Sequence, residues 1–210
     1  MTAIEAQERD LGRPADFARD GYAFLPALIE PALTDYFWSY VHTKFASRLL
    51  SSGDAQVPHT PAGYGDPAFD GLSEYLRPQV ERRSGLALHP TYSYFRLYER
   101  DNILKRHRDR PAYEISVTLN IGLAPAEPWP IYVEGNAGAY GARLVPGEAL
   151  LSRGCDCFHW REAYEGARLV QAFLHYIDQD GPQKGQKFDG HPSLMRPPQR
   201  PVTGDQGEDK

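Results

Sequence analysis

The spacing of apolar residues changes once along this 210-residue chain, near residue 86. Before that point it is helical. After Pro31, which suits a first helical turn, Leu33, Phe37, Tyr40, Val41, Phe45 and Leu49 recur at three- and four-residue steps and predict a helix with one buried face. Phe69, Leu72, Tyr75, Leu76 and Val80 predict a second helix that stops at Gly85. A short helical turn at 14–19, a stop at Asp20-Gly21 and a strand at Tyr22–Leu25 precede them. Residues 51–68 are mostly turn formers and predict a long loop, either a lid or a passive surface segment. Beyond residue 86 the period becomes two. Strands are predicted at 87–98, 113–121, 130–134, 142–145, 148–152 and 167–177, with Gly, Pro, Asn and Asp between them. The fold class that follows is α+β, with N-terminal helices buttressing an antiparallel sandwich or barrel.

The same pattern sets the expected domain organisation. Residues 1–13 form a polar N-terminal segment, and 14–177 a single domain with a helical part at 14–85 and a β core at 86–177. Residues 178–210 form a Pro/Gly-rich tail whose apolar residues are Phe188, Leu194, Met195 and Val202, so it wraps the domain or stays disordered. With 41% apolar residues, a chain of this length buries a real core. A net charge of −5, and a densest basic stretch (residues 105–110) interrupted by Asp109, argue against a nucleic-acid partner. No window approaches the ~18 apolar residues of a membrane span. The first residues are acidic and polar, without the apolar centre of a signal peptide, so a cytoplasmic protein is expected.

Two cysteines, Cys155 and Cys157, are too few for a thiolate zinc or iron–sulfur site and too close together to staple distant loops. They read as plain thiols. Seven histidines leave imidazole and carboxylate as the available metal ligands. In an extended chain, residues i and i+2 share a face, so His107 and Asp109 can reach one ion. His159 follows the predicted strand 148–152. Two histidines and one carboxylate on one face of an octahedron leave three positions open, as in non-haem Fe(II) oxygenase sites. Arg168 lies nine residues beyond His159, on the last predicted strand. Pointing inward it would need an anion, such as the carboxylate of a 2-oxo acid. Pointing outward it would simply face solvent.

In that order and spacing the residues resemble the Fe(II)/2-oxoglutarate-dependent oxygenases, most closely the prolyl-4-hydroxylase-like group. The matching segments are 94–109 (YFRLYERDNILKRHRD), 145–160 (VPGEALLSRGCDCFHW) and 167–177 (ARLVQAFLHYI), within roughly residues 86–177. The resemblance implies a double-stranded β-helix, or jelly roll, with Fe(II) held by His107, Asp109 and His159. It implies that Arg168 holds the distal carboxylate of the co-substrate 2-oxoglutarate, assisted by Tyr98 or Tyr94. The implied reaction is hydroxylation of a C–H bond of an amino acid, peptidyl residue or small metabolite by dioxygen, with release of succinate and CO2. A carboxylate at 109 disfavours halogenation. Two departures stand out: Arg100-Asp101-Asn102 replaces a usual glycine, and Val170 replaces a small hydroxyl residue two places after the arginine.

Other residues have lesser expected roles. Trp160, Arg161, Arg96 and Asn120 are candidates for substrate contacts, and Trp129 and Tyr132 for the cavity wall. Ser116, Thr118 and Asn120 share one strand face. His175, at an odd offset from Arg168, faces the opposite side and reads as structural, as do His42, His59, His89 and His191. Two rival readings remain. A non-redox, cupin-like metal binder or sensor would keep the triad without a use for Arg168. An interaction domain would leave His107, Asp109 and His159 far apart.

Overall fold

Asp66 shows how local chemistry builds the helical layer. In the computed structural model, which describes residues 14–124, 127–136 and 138–194, its carboxylate accepts from the Ala68 amide at 3.0 Å and caps helix α3 (Pro67–Ser84). The same carboxylate accepts from the Tyr40 hydroxyl at 3.0 Å and the Lys44 ammonium at 2.5 Å, tying α3 to α2 (Pro31–Ala46). Gly85, at φ 74°, ends α3 in the left-handed region that glycine adopts without strain. A short helix α1 (Pro14–Asp20) precedes them.

The strands form two antiparallel sheets. The large one contains β1 (Tyr22–Leu25), β2 (Ser51–Gly53), β3 (Pro58–Tyr64), β4 (Leu88–Glu99), β6 (Ile115–Ala124), β9 (Ala149–Arg153) and β11 (Arg168–Asp178). Its order is β1-β9-β6-β11-β4-β3-β2. The small sheet has the order β5-β10-β7-β8, from β5 (Leu104–His107), β7 (Ile131–Gly135), β8 (Gly138–Ala142) and β10 (Phe158–Arg161). The two sheets face each other as a jelly roll, and the helices cover the outer face of the large one.

Alternation along each central strand separates these two interiors. Phe95 and Leu97 of β4, Val117 and Leu119 of β6, and Val170, Ala172 and Leu174 of β11 pack against Phe37, Val41, Phe69, Leu76 and Val80 of the helices. Asp70 fixes that contact by accepting from the Ser93 amide and hydroxyl at 3.0 and 2.7 Å. The alternate residues point between the sheets. The expected strand 142–145 is displaced to 138–142, and the short strands β5 and β10 were not expected.

The expected loop at 51–68 is in part a hairpin, β2–β3, extending the large sheet at its edge. β3 is second from the edge: Pro58 is its first residue and Pro61 falls where its pairing with the edge strand β2 is irregular, both places where a missing amide proton is tolerated. Gly63 is required because its backbone lies directly under the Phe95 ring. Within the tail, a 3₁₀ segment at Lys184–Gly190 packs on β4. Asp189 accepts from Arg110 at 2.8 and 3.0 Å and from the Tyr64 hydroxyl. The expected N-terminal segment 1–13 and the tail from 195 lie outside the described residues.

Candidate active site

His107 ends β5 and His159 lies on β10, and the two are direct cross-strand partners. Both point between the sheets, because residues on either side of His159 alternate outward. Asp109, two residues beyond His107, is held by its backbone N–H donating to the Gly154 carbonyl at 2.9 Å. The ligand atoms of all three side chains lie within 4.8 Å of one another. His107 Nε2 and His159 Nε2 are 3.7 and 3.5 Å from Asp109 Oδ1. This convergence rules out the interaction-domain reading, which needed the three apart.

The donor chemistry fits a divalent metal. His107 Nδ1 bonds the Lys105 carbonyl at 2.7 Å and His159 Nδ1 the Cys157 carbonyl at 3.3 Å. Each Nδ1 therefore carries the proton, leaving an Nε2 lone pair directed at the shared space. Burial lowers the pKa of both imidazoles and so favours the neutral, ligating form. Burial also pushes the Asp109 carboxyl up to about 6, a cost that a cation at this position removes.

The triad opens onto a cavity of about 240 Å³ lined by both sheets. Ser116, Thr118, Phe173 and His175 form one part of its wall, and Tyr64, Tyr92, Tyr94 and Tyr113 another. Among the described residues, the one arginine in that lining is Arg96 on β4, itself buried. It lies between Tyr94 and Tyr98, 5.2 and 5.3 Å from their ring centres, and donates to the Tyr98 hydroxyl at 3.1 Å. Its other terminal nitrogen meets Asp54 at 2.6 Å, and Tyr94 also donates to Asp54, at 2.9 Å. Arg96 Nε is buried and finds no acceptor among the described residues. Gln171 Nε2, on the cross-strand partner of Arg96, and Arg161 Nε are in the same state. Of these three side chains Arg96 is the one that lines the cavity, and a guanidinium there with an unmet donor suits a carboxylate.

Several expected placements are corrected. Arg168 does not enter the cavity: its guanidinium lies 5.0 Å from the Phe45 ring of α2, on the helix side of β11. The odd offset between Arg168 and His175 holds, with the two sides exchanged: His175 faces the cavity and Arg168 faces away. Trp160 and Tyr132 stack on each other at 5.3 Å on the outer face of the small sheet. Arg161 points inward, fully buried beyond the cavity wall, donating at 2.7 Å to both the Trp129 carbonyl and Gln171 Oε1. Burial pulls its pKa down to about 10. Asn120 also lies deeper, bonded to the Leu144 carbonyl at 2.6 Å. Trp129 lines a separate cavity with Tyr164 and Arg143. Of the two tyrosines, Tyr94 lines the cavity and Tyr98 backs Arg96. Asp54 and Gln56 were not anticipated, since nothing local marks a turn residue as part of a wall. Burial raises both thiols to about 11, in keeping with plain thiols at Cys155 and Cys157.

No protein-family model matches the chain, and no curated protein matches its sequence. Solved structures do match in fold. One is the non-haem, α-ketoglutarate-dependent epimerase SnoN of nogalamycin biosynthesis, with a TM-score of 0.69 and 15% identity over 91% of this chain and 92% of that one. A prolyl-4-hydroxylase of Pseudomonas putida matches with a TM-score of 0.63 and 15% identity, over 80% of this chain and 98% of that one. HygX of Streptomyces hygroscopicus, crystallised with nickel and 2-oxoglutarate, matches with a TM-score of 0.63 and 11% identity, over 83% and 89%. The chain thus has the jelly-roll fold of these enzymes.

Proposed function

We propose that this chain is an Fe(II)- and 2-oxoglutarate-dependent oxygenase that hydroxylates a C–H bond of an amino acid, peptidyl residue or small metabolite. The observation that carries this reading is the shared cavity: a two-histidine, one-carboxylate triad and a buried arginine line the same space. His107, Asp109 and His159 would hold the metal, leaving the open positions that such a triad provides. The chemistry supplied on binding Fe(II) and 2-oxoglutarate is activation of dioxygen, with succinate and CO2 as by-products.

The chain's own residues supply orientation and an apolar surface. Arg96, flanked by Tyr94, is placed to take the distal carboxylate of the 2-oxo acid, the role expected of Arg168. A cavity of about 240 Å³ suits a small dicarboxylate, with a substrate group entering beside the aromatic wall. Tyr92, Tyr113 and Phe173 give that wall an apolar, aromatic surface. A metal binder without turnover would not need a guanidinium in the same cavity, so the cupin-like reading ranks second.

The decisive experiment is anaerobic titration with Fe(II) and 2-oxoglutarate, followed by oxygen. The expected result is a weak visible charge-transfer band and then succinate. Folded protein that shows neither would sink the proposal. Asp109→Ala is expected to abolish both signals.

A further inference from the structure

His175 and Ser116 are buried in the cavity wall beside the triad without belonging to its converging set of ligand atoms: Ser116 contacts Asp109, and His175 contacts Ser116. Ser116 Oγ is 3.1 Å from Asp109 Oδ2, and His175 Nδ1 is 2.8 Å from Ser116 Oγ. Proton counting gives this chain one direction. A hydroxyl has one proton to donate, and a ligating carboxylate has none. Ser116 therefore donates to Oδ2, and its oxygen accepts the Nδ1–H of His175.

The surroundings leave little room for another arrangement. Ser116 and His175 are cross-strand partners in the middle of the large sheet, so the backbone register sets their separation. The His175 ring stacks on Tyr113 at 4.2 Å and an interplanar angle of 16°, with Tyr92 at 5.0 Å. Gly154 closes on the other side: a Cβ there would overlap both the Asp109 carboxylate and the Tyr113 carbonyl. One oxygen of Asp109 is thus gripped from behind, while the other faces both imidazoles.

We propose that His175, acting through Ser116, is a positioning residue that holds Asp109 as a one-oxygen metal ligand. The inference rests on reading the triad as a metal site, and Co(II) titration of the purified metal-free chain tests the two separately. Ser116→Ala and His175→Phe are each expected to weaken Co(II) binding by about tenfold, the usual effect of removing an outer partner of a ligand. Each should also alter the intensity of the visible Co(II) bands as Asp109 turns toward two-oxygen binding. Phenylalanine keeps the stack on Tyr113 but not the donor, so a purely packing role predicts no change. His175→Asn, whose side-chain N–H can stand where Nδ1–H stood, should restore affinity and spectrum. Combining Ser116→Ala with His175→Phe should weaken binding no further than Ser116→Ala alone, because both break one chain.

Wild-type Co(II) affinity and bands in His175→Phe would overturn the proposal. If that variant does not fold, Ser116→Ala decides, since it leaves the ring stack intact; unchanged affinity and spectrum there overturn it equally. Wild-type protein that binds no Co(II) would overturn the metal reading itself, and this proposal with it.

Discussion

A guanidinium stays inside a barrel only where other groups answer its charge and its five donors. Arg96 has Asp54, the Tyr98 hydroxyl and the rings of Tyr94, Tyr98 and Phe173, while its Nε–H finds no acceptor among the described residues. Arg168 needs none of this, because its side chain lies over Phe45 among the helices. The two arginines therefore separate cleanly in experiment. Arg96→Gln should raise the KM for 2-oxoglutarate by about tenfold or more, the scale of one lost charge-assisted pair. Arg168→Ala should leave that KM within about twofold, as usual for a substitution that touches no ligand. Steady-state succinate formation measures both. The opposite ranking would restore the arginine on β11 as the anion holder.

Hairpin β2–β3 brings a second carboxylate to the cavity. Burial alone would raise the Asp54 pKa, yet the adjacent Arg96, with amide donors from Val57 and Gln56 and the Tyr94 hydroxyl, holds it below the usual range. Asp54 thus sits, ionised, on the donors that a co-substrate carboxylate would use. Arg96 is buried but the Asp54 side chain is 39% exposed, so Asp54 can turn out to water when another carboxylate takes its place on the guanidinium. Asp54→Asn should therefore tighten 2-oxoglutarate binding, by about two- to fivefold if the competing pair is worth ~0.5–1 kcal/mol. Anaerobic calorimetry reads the sign directly; weaker binding would instead make Asp54 part of the seat. The strands that deliver the histidines, β5 and β10, have only four residues each. Both mix histidine and charged residues into four positions, unlike the equally short but apolar β1, so neither stood out as a strand although His107 and His159 did as ligand types.

Across the whole molecule, the helical layer and the candidate metal site occupy opposite faces of one sheet, so stability and chemistry should separate. Leu76 is fully buried between α3 and the large sheet, and Leu76→Ala should cost about 2–5 kcal/mol in urea unfolding. The metal affinity of the folded fraction should not change. The amino-acid sequence alone determined the helices, most of the long strands and which two histidines and carboxylate converge. Each rests on short-range periodicity or on spacings such as His107-x-Asp109, where side-chain direction alternates with every residue. It also determined that Arg168 and His175 point to opposite sides of β11. Only the tertiary structure decided which side was the cavity, because inside and outside depend on what packs against each face. Arg96, Asp54, Ser116 and His175 come together through strand pairing and a hairpin, over separations no local pattern encodes.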